Sequence, residues 1–115
     1  MTVTIWHNPR CSKSRQTLAL LRERGIEPGI VEYLKTPPPA DEIEAVLDML
    51  GMEPRDLMRR KEAAYREAGL DDPGLGRRAL VEAMTAYPVL IERPVVLAKG
   101  KAALGRPPES VLEIL

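Results

Sequence analysis

Residues 7–15 read HNPRCSKSR and stand between an apolar run, residues 3–6, and a helix-forming run, residues 16–24. Pro9 ends a strand, because proline has no N–H group to donate and a fixed φ. The helix then begins near Cys11, where the first backbone N–H groups have no partner inside the helix. Those groups and the positive end of the helix dipole stabilise negative charge. The stretch therefore predicts a strand, a loop and a helix that hold a cysteine thiolate beside a site for an anion.

Cys11 is the only cysteine of the chain. A lone cysteine is more often a small buried apolar residue than a nucleophile. A helix N-terminus, however, can lower the pKa of a thiol from about 8.5 to roughly 3.5–7.5. Arg10, Lys13 and Arg15 add positive charge, which is unfavourable at that end of a helix unless an anion compensates it. We therefore interpret Cys11 as a nucleophile next to an oxyanion site.

Composition limits the class of protein. The chain has 115 residues, of which 44% are hydrophobic and 30% charged, and this is typical of one globular domain, residues 1–115. Its 17 acidic and 17 basic residues cancel, which does not favour binding to nucleic acid or to a membrane surface. A single cysteine cannot form an internal disulfide, and neither a signal peptide nor a run of about 20 apolar residues is visible. We expect a cytoplasmic monomer.

The first half of the chain predicts an α/β fold. A helix connects apolar strands at residues 3–6 and 30–34, so these strands are expected to be parallel. Three prolines then end the strand pattern, and amphipathic helical patterns follow over about residues 38–87. One of these helices is short and is predicted at residues 54–60. This section is interpreted as a helical insert beside the sheet.

The last third returns to strands. Apolar runs at residues 94–98 and 102–104 flank a turn that contains Gly100, which is typical of a β-hairpin. A short closing helix is predicted with Val111, Leu112 and Leu115 on one face. The order is βαβ, helical insertion, then ββα. This order predicts a thioredoxin-like fold with a four-stranded mixed sheet.

Several segments resemble the glutaredoxin-dependent arsenate reductases, the ArsC-type family. They are HNPRCSKSR, the TPP after the second strand, LMRRKEAAYREAGL, YPVLIERPVV and GRPPESVLEIL. The resemblance runs from residue 4 to residue 115 and is greatest to the short chromosomal arsenate-reductase-like proteins. It implies reduction of arsenate to arsenite by a chain without a bound cofactor or metal. Glutathione is the implied co-substrate and glutaredoxin the implied partner.

The resemblance also implies roles for single residues. Cys11 is the implied catalytic nucleophile, and the bond between Arg93 and Pro94 is expected to be cis. Arginine suits an oxyanion because its planar guanidinium stays protonated and donates at two points. Three arginines are the implied ligands of the oxyanion, with Arg60 and Lys61 as alternatives to the first: Arg59, Arg93 and Arg106.

Three further residues are predicted to support the cysteine. His7, the only histidine, either helps to keep Cys11 deprotonated or shapes the loop. Asn8 is expected to hydrogen-bond the loop backbone. Ser14 either hydrogen-bonds the thiolate or caps the helix. Since Ser14 stands where a resolving cysteine would complete a C-x-x-C motif, reductive turnover must use a thiol from another molecule.

Two other functions fit the same stretch. One is a glutathione-dependent thiol oxidoreductase that acts on mixed disulfides, with the arginines binding a glutathione carboxylate. The other is a redox-sensing partner of RNA polymerase that is not an enzyme. Proteins of that second kind usually carry C-x-x-C as their switch, and Ser14 cannot form its disulfide.

Overall fold

The computed structural model describes residues 2–115, which divide into two compact units. The first unit contains the chain as far as Thr36 together with Arg93–Leu115. The second unit is Pro37–Glu92. The expectation of one domain with an insert at about residues 38–87 stays a prediction.

A four-stranded mixed sheet forms the centre of the first unit. The strands lie in the order β2-β1-β3-β4, with β1 parallel to β2 and antiparallel to β3. Strands β3 and β4 form an antiparallel hairpin whose turn has positive φ at Lys99 and Gly100. The predicted α/β thioredoxin-like fold is confirmed. The strand bounds are β1 Val3–Trp6, β2 Gly29–Val31, β3 Val95–Ala98 and β4 Lys101–Leu104.

Helix α1, Ser12–Glu23, packs on one face of this sheet. It begins after Cys11, whose backbone is extended (φ −93°, ψ 124°), and it ends before Gly25, which has φ +76°. The buried face of α1 consists of Ser14, Thr17, Leu18 and Leu21. The core of the unit is one apolar cluster: Val3, Ile5, Leu18, Leu21, Val96, Ala98, Val111 and Ile114.

Strand β2 is shorter than the predicted residues 30–34. The last bond to its neighbour joins the N–H of His7 to the carbonyl of Val31, at 2.8 Å. The neighbouring chain then leaves the sheet, so residues beyond Val31 have no strand to pair with. Instead, the N–H groups of Lys35 and Thr36 both donate to the carbonyl of Glu32 and close a turn.

The predicted closing helix is a 3₁₀ helix, Pro108–Ile114. Its buried residues are Pro108, Val111 and Ile114, which are three positions apart. This spacing matches the three residues per turn of a 3₁₀ helix. The predicted face assumed the period of an α-helix, which groups Leu112 and Leu115 with Val111. In the 3₁₀ helix both leucines are only partly buried, and Leu115 packs against the edge of the apolar cluster.

The second unit is built from helices. They are α2 Ala40–Leu50, α3 Pro54–Leu57, α4 Ala63–Glu67 and α5 Arg77–Ala86, followed by a 3₁₀ turn, Pro88–Leu90. Helices α2 and α5 pack together through side chains that are almost fully buried. No helix within residues 2–115 has the length and apolar character needed to cross a bilayer. The buried residues of this helix pair are Ile43, Val46, Leu47, Leu80, Val81 and Met84.

Helix α3 ends at Leu57 and not at residue 60 as predicted. Met58 is extended (φ −90°, ψ 143°) and forms an antiparallel bridge with Ile91. On either side of this bridge, Arg59 N–H donates to the carbonyl of Leu90, and Glu92 N–H donates to that of Leu57. Arg59 therefore lies in an extended segment, paired with the residues that precede Arg93.

We predict that Leu21→Ala lowers the free energy of unfolding by about 2–5 kcal/mol, because Leu21 is fully buried between α1 and the sheet. Leu34→Ala is the matched control, since Leu34 is 41% exposed and its truncation should cost no more than about 0.5 kcal/mol. Urea unfolding followed by circular dichroism measures both. Equal losses in the two variants would contradict the assignment of this core.

Candidate active site

Cys11 lies at the N-terminus of α1 and is nearly buried, with 9% of its surface exposed. Its N–H donates to the carbonyl of Asn8 at 3.0 Å, which fixes the loop before the helix. Burial raises the pKa of the Cys11 thiol, but hydrogen bonds from Ser14 N–H, the Arg93 guanidinium and Lys13 N–H together outweigh it. The pKa of Cys11 therefore lies below its ordinary value. At neutral pH a larger fraction of Cys11 is thiolate than would be the case for an unperturbed cysteine.

Two of the three predicted arginines meet at this sulfur. Arg106 Nη2 lies 3.8 Å from Cys11 Sγ, and the Arg93 guanidinium also hydrogen-bonds the thiol. Arg106 Nε donates to the backbone carbonyl of Arg93 at 2.7 Å, so the two arginines are tied to each other. The structure has cis bonds at Arg93–Pro94, as the resemblance implies, and at Arg106–Pro107, which was not predicted.

The loop before Cys11 is held by a buried pair of polar side chains. His7 Nδ1 and Ser14 Oγ are 2.6 Å apart, and Ser14 Oγ accepts the N–H of Asn8 at 3.0 Å. These bonds connect the hydroxyl to the loop, a role that neither expectation for Ser14 included. Asn8 Oδ1 accepts the N–H of Arg10 at 3.0 Å, a contact with the loop backbone of the kind expected for Asn8.

His7 is a buried and neutral group in this loop. Burial lowers the pKa of His7 below its ordinary value of 6.5. The charge of Glu32 raises this pKa by a smaller amount, and the charges of Arg22 and Arg15 lower it further. A neutral imidazole is therefore the main form at pH 7. The positive charge that lowers the pKa of Cys11 comes from arginine and not from His7.

Arg59 belongs to the second unit, where two carboxylates bind it. Its Nη1 forms an ion pair with Glu62, and its Nε lies 3.9 Å from Glu92 Oε1. All three side chains are about 70% buried, and they line a cavity of about 530 Å³. Arg60, the alternative, is 55% exposed and bonds the Arg55 carbonyl. The role of Arg59 in binding the oxyanion stays a prediction.

The site contains donors for an anion rather than ligands for a cation. Within residues 2–115, no group of three His, Cys, Asp or Glu side chains lies close enough to hold a metal ion. Backbone N–H groups and two guanidinium groups surround one sulfur. Such an arrangement stabilises a thiolate and also the negative oxygens of a substrate that the thiolate attacks.

We predict that the alkylation rate of Cys11 by iodoacetamide rises with pH through a midpoint below that of free cysteine, because the lowered pKa yields thiolate at lower pH. Arg93→Ala should move this midpoint upward by about one unit, since it removes a hydrogen bond and a positive charge from the sulfur. Arg24→Ala, which changes an exposed arginine at the far end of α1, serves as the control. An unmoved midpoint in Arg93→Ala would contradict this account of the thiolate.

Known proteins resemble the whole chain in sequence and in structure. Residues 6–114 match the ArsC family. An arsenate reductase of Neisseria meningitidis serogroup A is 50% identical over 114 residues, which are 98% of this chain and 97% of that protein. The uncharacterized protein YfgD of Escherichia coli (strain K12) is 55% identical, with 98% and 96% of the two chains covered.

The solved structure of an arsenate reductase from Vibrio cholerae superimposes with a TM-score of 0.97 at 52% identity, over 100% of this chain and 98% of that one. The family match and these relatives all extend over nearly the full length of the chain. The protein belongs to the ArsC family.

Proposed function

We propose that this protein is an arsenate reductase, which converts arsenate to arsenite through a covalent bond between Cys11 and arsenic. The convergence of Arg93 and Arg106 on the Cys11 sulfur is the observation that supports this most directly. Relatives named arsenate reductase, about 50% identical over the whole chain, support the choice of substrate. The proposed compartment is the cytoplasm, where thiols are kept reduced.

Electrostatics explain why such a reaction needs these arginines. Arsenate is an anion at neutral pH, and the Cys11 thiolate is another. Two unit charges about 4 Å apart repel by on the order of 4 kcal/mol at an effective dielectric constant near 20. The guanidinium groups of Arg93 and Arg106 offset this repulsion, and they also orient the oxygens of the substrate by paired N–H donors.

The reaction proceeds through bonds to arsenic and balances with two external thiols. The Cys11 thiolate attacks arsenic(V) and displaces water, and the thiol of glutathione adds to the same arsenic with loss of a second water. A glutaredoxin thiolate then attacks the glutathione sulfur and forms a mixed disulfide. The electron pair of the broken sulfur–arsenic bond stays on arsenic, which becomes arsenic(III). Water finally releases arsenite and regenerates the Cys11 thiol.

Glutathione and glutaredoxin enter the proposal because Cys11 has no second cysteine in the chain to resolve its adduct. The two electrons must therefore come from thiols of other molecules. A monomer is sufficient for the sulfur chemistry, since Cys11, Arg93 and Arg106 all come from one chain.

We expect the purified protein to produce arsenite from arsenate when glutathione and glutaredoxin are supplied, and Cys11→Ser to reduce this to background. Arg93→Ala and Arg106→Ala should each lower kcat/KM by about 100-fold, because each removes a charged donor from the oxyanion site. Arsenite is measured directly by chromatography with elemental detection. Reduction of a glutathione mixed disulfide without arsenite formation would overturn arsenate as the substrate and favour the thiol oxidoreductase.

The third arginine of the proposed oxyanion site is Arg59. Its extended segment pairs with residues 90–92, and Glu92, one of its two carboxylate partners, immediately precedes Arg93 in the chain. We predict that Arg59→Ala raises KM for arsenate by about tenfold or more, as expected for a lost charge-assisted contact. Arg60→Ala is the matched control and should leave KM within about twofold. The reverse order of effects would assign the role to Arg60.

A further inference from the structure

Gly105 lies at a point of very close packing in the first unit. A Cβ atom on residue 105 would overlap Thr17 Oγ1 and would lie 2.7 Å from Pro94 Cγ, well inside the 3.0 Å that Cβ contacts respect. Neither neighbour can easily move. Thr17 is fully buried and its hydroxyl donates to the Lys13 carbonyl at 2.8 Å, while Pro94 is a rigid ring.

The backbone conformation does not explain a glycine at this position. Four glycines in the described chain have a positive φ that favours glycine, and they are Gly25, Gly51, Gly69 and Gly100. Gly105 is not among them. Residue 105 must be glycine because atoms of Thr17 and Pro94 already occupy the space that a side chain would take.

This close contact is next to the two arginines of the site. Gly105 N–H donates to the carbonyl of Pro94 at 2.9 Å, and Arg106 Nε donates to the carbonyl of Arg93 at 2.7 Å. Two successive hydrogen bonds therefore join residues 105–106 to residues 93–94. The position of Arg106, and with it the 3.8 Å contact from its Nη2 to Cys11 Sγ, depends on how closely these segments approach.

We propose that Gly105 is a positioning residue for the thiolate site: its missing side chain lets residues 105 and 106 pack against Thr17 and Pro94, at the separation that brings the Arg106 guanidinium to the Cys11 sulfur. The effect of this positioning on arsenate reduction rests on the proposed function. The effect on the pKa of Cys11 does not, because the ionisation of the thiol can be measured without any substrate.

Gly105→Ala tests this. The added methyl group pushes residues 105–106 away from Thr17 and Pro94, so the contacts that Arg106 and Arg93 make with the sulfur lengthen. The midpoint for alkylation of Cys11 by iodoacetamide should rise by about half a pH unit, less than in Arg93→Ala, because the charges move away from the sulfur but are not lost. A misplacement of this kind should lower kcat/KM for arsenate by about 10- to 100-fold, mainly through KM. Gly29→Ala is the matched control, because the nearest atoms to its Cβ are at an ordinary 3.9 Å.

A second variant separates positioning from simple loss of stability. Thr17→Ala removes the oxygen that the new Cβ would overlap, so the double variant Gly105→Ala/Thr17→Ala should recover part of both effects. A folded Gly105→Ala with an unchanged alkylation midpoint overturns the proposal. If Gly105→Ala does not fold, the double variant is compared with Thr17→Ala alone. A midpoint above that of Thr17→Ala supports the proposal, because the added methyl group still meets Pro94. An equal midpoint, or a failure to fold, overturns it.

If the unaltered protein reduces no arsenate, the proposed function fails while the alkylation midpoints still decide the role of Gly105. If arsenate is reduced and the midpoint of Gly105→Ala does not move, Gly105 has no positioning role and the proposed function stands.

Discussion

The contact between the Arg106 guanidinium and the Cys11 sulfur joins residues that are 95 positions apart in the chain. It depends on the sheet, because β1 leads into the loop that carries Cys11. Its antiparallel neighbour β3 begins two residues after Arg93, and β4 ends two residues before Arg106. Pairing of these strands therefore brings both arginines to the N-terminus of α1. A loss of register in the sheet would separate the thiolate from the charges that stabilise it, even with every residue of the site still present.

The local part of this arrangement could be predicted from the sequence. A proline after a short apolar run and a helical pattern after the cysteine are enough to place Cys11 at a helix N-terminus, and Cys11 lies there. The turn at Lys99 and Gly100 was predictable for the same reason, since short apolar runs flank a glycine. These features depend on residues close together in the chain, where conformational preferences and periodicity carry the information. The prediction that Arg93 and Arg106 belong to the site of Cys11 depended on the family resemblance, because no local sequence pattern specifies their meeting at the sulfur.

The predictions that were wrong or incomplete involve distant contacts or exact packing. Met58 leaves the helical pattern because it bridges to Ile91, a partner 33 positions away that no local rule identifies. The Ser14 hydroxyl turns to His7 and the loop, since a buried imidazole 2.6 Å away competes with the two partners considered from the sequence. Gly105 had a weaker signal, a glycine just before an Arg-Pro pair, but only the three-dimensional structure reveals the neighbours that exclude a side chain.

Burial of Cys11 has two opposite consequences, and their balance explains the composition of the site. Removing the sulfur from water raises its pKa, but the same low dielectric strengthens each hydrogen bond and charge that reaches it. Lowering the pKa therefore requires several donors at once, and the helix N-terminus and Arg93 supply them. His7 could not replace an arginine here, because burial keeps its imidazole neutral. A guanidinium stays charged at any physiological pH, so a site built from arginines keeps its positive charge both for the free thiolate and for an oxyanion bound beside it.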